Sequence, residues 1–213
     1  MYYPQYSEIF KGMLSALKDQ SVVVLGHMRP DGDCIGSQVA LTRVLTTLGI
    51  NVVAANSDPV PKVLQSFQGD TPVYLPCELT NENRVAVYVD CADPSRVGGE
   101  LTERFLHVEV CIDHHISNPG YAYRNIIDPA AAATAQLLTG LFIDHDLPID
   151  AVTAEALYLG ILTDTGQFRH GATTPMVFDL AAELVKRGAS PERVAHELFE
   201  RETLPRLSLR QRF

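Results

Sequence analysis

The chain has no apolar run near the roughly 18 to 20 residues needed to cross a bilayer. Its start, Met1-Tyr2-Tyr3-Pro4, lacks the basic and apolar stretches of a secretory signal, so the expectation is a soluble cytoplasmic protein. It also lacks any Cys-x-x-Cys pair: Cys34, Cys77, Cys91 and Cys111 are scattered, which excludes a four-thiolate zinc cage. With no secretory context these cysteines read as reduced, and Cys34, Cys91 and Cys111, each beside a polar motif, read as small buried hydrophobes rather than metal ligands. Basic residues are short as well, 17 Lys and Arg against 26 Asp and Glu, for a net charge of −9. Such a balance excludes a protein that grips long nucleic acid by surface electrostatics alone. A small anionic substrate held through bound cations fits better. The one basic stretch is the tail, with Arg201, Arg206, Arg210 and Arg212 against Glu202.

At 213 residues and 46% hydrophobic content, the sequence can bury the core of one main domain. Ser21 to Gly26 is short, β-branched and followed by a Pro/Gly-bearing loop, so it reads as a buried strand; Ile35 to Leu48 reads as a helix stopped by Gly49. Further strands are expected at Asn51–Ala55, Val73–Leu75, Arg84–Val89 and His107–Ile112. This alternation predicts an α/β fold, a mainly parallel sheet with helices on both faces. From Ala130 onward the pattern turns helical, with segments near 131–145, 150–163, 174–187 and 191–203. Thr174-Pro175 and Ser190-Pro191 each place a hydroxyl cap before a proline at the first helical position, and Gly188 closes the first of those two helices.

Four segments carry the chemistry. The first, His27-Met28-Arg29-Pro30-Asp31-Gly32-Asp33-Cys34-Ile35-Gly36-Ser37, begins where the first strand ends, the edge of a parallel sheet where ligands bind. A glycine between two aspartates lets both carboxylates face one cavity; the alternative is a turn at Asp31-Gly32 with Asp33 as a helix cap. The second is Val87-Tyr88-Val89-Asp90, followed by Asp93-Pro94-Ser95-Arg96. The third, Cys111-Ile112-Asp113-His114-His115, ends a strand in three metal-capable groups, one of which can support another. The fourth, Gly160 to Arg169, puts Asp164 at a helix C-terminus, where backbone carbonyls already present negative charge, so a cation is expected nearby. His107, His145 and His196 stand apart from these motifs, while His170 follows the fourth. Four carboxylates and two imidazoles at one sheet edge suit Mn²⁺, with Mg²⁺, Fe²⁺ or Co²⁺ as neighbours. Six donors exceed what one catalytic ion takes from protein, so two ions are expected.

These segments, in this order, resemble the four motifs of DHH-family phosphoesterases: His27-x-x-Pro-Asp31-Gly-Asp33-x-x-Gly-Ser37, Asp90, Asp113-His114-His115, and Leu162-Thr163-Asp164-Thr165-Gly166. The stretch Thr165 to Arg169 followed by Thr173-Thr174-Pro175 resembles the oligoribonuclease branch, whose members degrade very short RNAs and often dephosphorylate 3′-phosphoadenosine 5′-phosphate. The resemblance covers residues 20–187. It implies that His27, Asp31 and Asp90 hold one Mn²⁺ and that Asp33, Asp90, His114 and Asp164 hold the other, with a water activated between them attacking phosphorus. It further implies that Asp113 orients a ligand and that His115 contacts the phosphate or assists the leaving group. Arg29, Arg169 and His170 are added as substrate contacts from their positions within the motifs. The expected partner is a small nucleotide or short RNA, with dimerisation through the main domain. Residues 1–190 are expected to form the catalytic domain and 191–213 a helical linker towards a second, nucleotide-gripping domain. Pyrophosphate, polyphosphate and cyclic dinucleotides are the competing substrates, and a nucleotide sensor is the non-catalytic alternative.

Overall fold

The computed structural model of the chain describes residues 1–80 and 83–201. Among them, β-strands run over Ser21–Leu25 (β1), Asn51–Ala55 (β2), Val73–Tyr74 (β3), Val85–Val89 (β4), Val108–Asp113 (β5) and Arg124–Ile127 (β6). All neighbours pair in parallel, in the order β3-β2-β1-β4-β5-β6. The order therefore reverses between β1 and β4, which stand side by side with Leu25 opposite Tyr88. At such a switch the connections leave in opposite directions and open a crevice beyond the strands' carboxyl ends.

The helices are Ser7–Leu17 (α1), Gly32–Thr47 (α2), Gly99–Arg104 (α3), Thr134–Asp144 (α4), Ala151–Asp164 (α5), Pro175–Lys186 (α6) and Pro191–Ala195 (α7). Strand residues divide between two apolar layers. Val22 and Val24 join α1, α2, α4, α5 and α6 in the larger one, while Val23 and Leu25 face a smaller layer with Val97, Leu101 of α3 and Phe105. Strands buried on both faces need continuous apolar runs, which β1 carries over residues 22–25, β4 throughout and β5 over residues 110–112. The expected α/β class is what forms, with the helical mass mostly on one face.

Several local expectations need correction. Helix α2 starts three residues earlier than predicted, because Asp31, extended at φ −102°, accepts the Asp33 and Cys34 amides and caps it. Thr174 precedes α6 without capping it, whereas the Ser190 hydroxyl accepts the Arg193 amide as expected. The predicted 191–203 helix runs as α-helix to Ala195 and as π-helix over His196–Glu200, ending three residues early; residues 202–213 lie outside the described residues. Val194 of α7 is fully buried in the larger core. Helix α1 and strand β6 were not expected. Phe10, Met13 and Leu17 of α1 do show the three-to-four-residue apolar spacing that gives it away.

Close contact between helices sets the positions of the functional groups. A Cβ on Gly36 of α2 would fall 2.2 Å from the Ala156 carbonyl oxygen of α5. One on Gly160 of α5 would fall 2.5 Å from the Ala135 Cβ of α4 and 2.7 Å from Asp33 Oδ1. Only glycine lets three helices converge this tightly beneath the sheet edge.

Candidate metal centre

His27 leaves β1 in a loop pinned on each side. The Gly26 amide donates to Asn56 Oδ1 (3.1 Å) and the Met28 amide to the Arg96 carbonyl (2.7 Å). Arg29 holds a left-handed φ of +54° while its amide donates to Asp58 Oδ2 (2.7 Å). The His27 Nδ1–H reaches the Met28 carbonyl at 2.8 Å, so Nε2 faces inward, 3.4 Å from Asp90 Oδ2 and 3.7 Å from Asp31 Oδ1. A ring whose outer nitrogen is satisfied by a carbonyl and whose inner nitrogen faces carboxylates is arranged as a metal ligand.

Asp90 ends β4 at φ +54°, a conformation that raises the energy of a non-glycine residue by about 1 to 3 kcal/mol and persists only where its surroundings hold it. Its amide donates to the Ile112 carbonyl, and the Thr134 hydroxyl donates to its Oδ1 at 3.0 Å. The turn gives each carboxylate oxygen its own side: Oδ2 faces His27, and Oδ1 lies 3.6 Å from His114 Nε2 and 3.7 Å from His115 Nδ1.

Asp33 is fully buried in the first turn of α2. Its oxygens accept the Thr134 and Ala135 amides at 2.6 and 2.8 Å, so it caps α4 from another helix while also facing His114 Nε2 at 3.9 Å. Asp164, the last residue of α5, lies 3.3 Å from the same nitrogen. Beyond it, Gln167 and Phe168 both take left-handed φ values, folding the loop back over the helix end. The Asp113 carboxylate, also fully buried, collects the His114 amide, the His115 Nδ1–H at 2.7 Å and Asn118 Nδ2 at 2.7 Å. It fixes the backbone of His114 and the ring of His115 from behind and turns His115, with 35% of its side chain exposed, towards the open side, while His114 Nδ1 lies 3.3 Å from the Ala131 carbonyl.

Burial pushes Asp33 well above the usual carboxylate range, and Asp90 and Asp164 add to the shift. Burial, then Asp90 and Asp31, also raises Asp164. Burial would lower both imidazoles, but the carboxylates reverse it: Asp31 and Asp90 hold His27 far above its ordinary value, and Asp164, Asp33 and Asp90 raise His114 to about 9. Desolvation opposes the shifts of Asp31 and Asp113 too, yet both stay below the ordinary value, Asp31 chiefly through the neighbouring His27 and the amides it accepts and Asp113 chiefly through the hydrogen bond from His115. The pattern is an excess of carboxylate with protons on imidazole as the only cations within the centre among the described residues. His114 Nε2 is moreover buried and without a hydrogen-bond partner. A divalent ion answers both conditions, so the donor set fits a metal.

The six expected ligands are thus brought together at the topological switch. Donor atoms of Asp33, His114 and Asp164 lie within 4.8 Å of one another, as do those of Asp90, His114 and His115, and those of His27, Cys34 and Asp90. Arg29, Arg169 and His170 are exposed. Arg169 Nε donates to the Gly166 carbonyl, and His170 Nδ1 lies 3.1 Å from the Asp164 carbonyl, so both sit on the loop beside Asp164. His145 packs on Phe10 and His196 pairs with Glu200, away from the centre. The sequence reading missed Thr134 and Asn118, whose partners are distant in the chain or fixed by the fold. It also gave Cys34 no part beyond filling space: the thiol is buried, as expected, but faces His27 and Asp90.

Over 187 residues the chain is 36% identical to the bifunctional oligoribonuclease and PAP phosphatase NrnA of Thermus thermophilus, a match covering 87% of this chain and 56% of that protein. It is 29% identical over 210 residues to the cyclic-di-AMP phosphodiesterase GdpP of Bacillus subtilis, covering 88% of this chain and 30% of that one. The chain thus spans little more than half the length of its NrnA-type relatives. In three dimensions it superposes on the crystal structure of an exopolyphosphatase-related protein from Bacteroides fragilis with a TM-score of 0.86 at 21% identity, over 96% of this chain and 64% of that one, a likeness of fold. Residues 21–161 match the model of the DHH family, N-terminal domain, a span that takes in β1 to β6, the first three motifs and most of α5, and the chain belongs to the DHH family.

Proposed function

We propose that this chain is the catalytic part of a metal-dependent hydrolase that cleaves phosphoester bonds in short oligoribonucleotides and in 3′-phosphoadenosine 5′-phosphate. The observation that carries the reading is the placement of Asp90: one carboxylate oxygen faces the His27 side, the other the His114 side, at the switch point of the sheet. His27, Asp31 and Asp90 would hold one divalent ion, and Asp33, Asp90, His114 and Asp164 a second. Mn²⁺ suits this set, and Mg²⁺, Co²⁺ or Fe²⁺ would substitute. Bound ions of this kind supply a water of lowered pKa and neutralise phosphoryl oxygens.

The chain's own residues have distinct tasks. Asp113 holds the His115 ring by its Nδ1–H, leaving Nε2 free to contact the phosphate or to pass a proton to the leaving oxygen. Arg29 and Arg169, exposed on the two loops flanking the centre, contact substrate phosphates, with His170 beside Arg169. No helix among the described residues is long and apolar enough to cross a membrane, and the four unpaired cysteines suit a reducing cytoplasm. A homodimer through this domain belongs to the same reading.

A second reading, cyclic-dinucleotide hydrolysis, is supported by the similarity to GdpP. One panel separates the two: 5′-phosphorylated diadenylate, 3′-phosphoadenosine 5′-phosphate, cyclic-di-AMP and pyrophosphate, each with Mn²⁺ and each repeated with Asp90→Asn. The proposal expects AMP from the first two substrates, lost in Asp90→Asn. Turnover of cyclic-di-AMP or pyrophosphate alone would overturn it.

A further inference from the structure

The metal-centre reading leaves the Cys34 thiol without a task. We infer that Cys34 Sγ is a ligand of the His27 subsite, making it a mixed nitrogen, oxygen and sulfur site for a softer divalent ion such as zinc, cobalt or ferrous iron. The Asp33–His114–Asp164 subsite, which has no sulfur, remains the place for a harder ion. The inference rests on the metal-centre reading and assigns a residue outside the six ligands named there.

Cys34 is not an isolated thiol. Its Sγ, a His27 ring nitrogen and an Asp90 oxygen lie within 4.8 Å of one another, and all three residues are buried. His27 Nε2 stands 3.4 Å from Asp90 and 3.7 Å from Asp31. Those separations are close to the edges, about 3.3 to 3.8 Å, of a tetrahedron whose bonds are about 2.0 Å to nitrogen and oxygen and 2.3 Å to sulfur. The backbone is tied to the same set, since the Cys34 amide donates to Asp31 Oδ1 at 3.1 Å. Room for the sulfur exists only because residue 26 is glycine: a Cβ there would fall 2.3 Å from Sγ. The remaining polar neighbour of the thiol, Gln38 Oε1 at 3.9 Å, is long for a hydrogen bond to sulfur. A soft thiolate and a borderline imidazole beside the hard Asp90 carboxylate raise the affinity of the subsite for zinc, cobalt or ferrous iron relative to magnesium or manganese, with manganese still accepted. On coordination the thiol proton leaves to solvent and the sulfur bonds to the ion as thiolate, with no change of oxidation state.

Titration of the chelator-stripped chain with Co²⁺, followed by absorption spectroscopy, tests this. The inference expects a sulfur-to-cobalt charge-transfer band in the near ultraviolet alongside visible ligand-field bands. In Cys34→Ala the ultraviolet band disappears, the visible bands remain, and preference for zinc over manganese falls by about tenfold or more. Visible bands with no ultraviolet band in the unaltered chain overturn the inference and leave the metal centre standing. So does an ultraviolet band that survives in Cys34→Ala, because it then comes from another cysteine. No cobalt spectrum at all overturns the metal centre and this inference with it. Should Cys34→Ala fail to fold, cadmium-113 resonance of the unaltered chain decides: a shift in the sulfur-ligated range supports the thiolate, and one confined to nitrogen and oxygen ligation overturns it.

Discussion

Asp164 and Asp113 are both aspartates of the same centre, and their surroundings set them to opposite tasks. Asp164 sits at the negative end of α5 among other carboxylates, so without a cation its ionisation opposes folding. Its pKa is raised in the folded state; the metal-free protein is therefore less hindered at low pH, and the burden grows as pH rises through that pKa. Asp164→Asn is accordingly expected to raise the melting temperature of the metal-free protein at pH 7, by about 2 to 4 °C per kcal/mol relieved, while abolishing hydrolysis. Calorimetry with and without metal checks both. Asp113 already has its partners, accepting from His114, His115 and Asn118. Asp113→Ala frees the His115 ring, and kcat is expected to fall about 10- to 100-fold while the chain still binds metal. Metal loss in step with activity would show that Asp113 supports the ligands rather than His115.

At the scale of elements, α2, α4 and α5 act as one jig. Gly160→Ala would push α5 against Ala135 and Asp33, and is expected to destabilise by about 1 to 3 kcal/mol and to weaken metal binding, measured by denaturant unfolding and metal titration. The start of α5 has its own clamp: Asp150 caps the helix through the Thr153 amide and pairs with Arg43. The hydrogen bond donated by Arg43 lowers Asp150 to about 2. A depressed carboxylate pKa gives stability that is complete above the unfolded value, about 3.9, and disappears as pH falls towards 2. Asp150→Asn is expected to lose less than about 1 kcal/mol at pH 7, because the side chain is 55% exposed, with most of that difference gone near pH 2. A loss that persisted at pH 2 would mean that the charge is not the source. The strands β1, β4 and β5 were legible because β-branched apolar runs ending in acid or histidine have few other structures open to them. Strand β6, Arg124-Asn125-Ile126-Ile127, was not, since a short edge strand with a polar start carries no period. The true start of α2 was hidden because Asp31 was weighed as a turn residue or a ligand, and it caps the helix from the ligand position.

At the scale of the molecule, the acidic balance and the site are parts of one design. Six of the chain's carboxylates and imidazoles converge where the strand order reverses, and under the proposed function a net charge of −9 would leave the grip on an anionic substrate to bound cations and a few exposed arginines. The convergence of the six proposed ligands was readable in the sequence because each stands at or just beyond the end of a strand or helix and the sheet brings those ends to one edge. What could not be read came from contacts that only folding makes: Thr134 meets Asp33 across 101 residues, and Cys34 turns its sulfur inward past Gly26. The central claim is that these six side chains form one centre shared through Asp90. Equilibrium dialysis of the stripped chain against Mn²⁺, with elemental analysis, tests it most directly. The account predicts two ions per chain, with tight binding lost from both positions in Asp90→Asn. One ion or none in the unaltered chain, or two retained in Asp90→Asn, would contradict it.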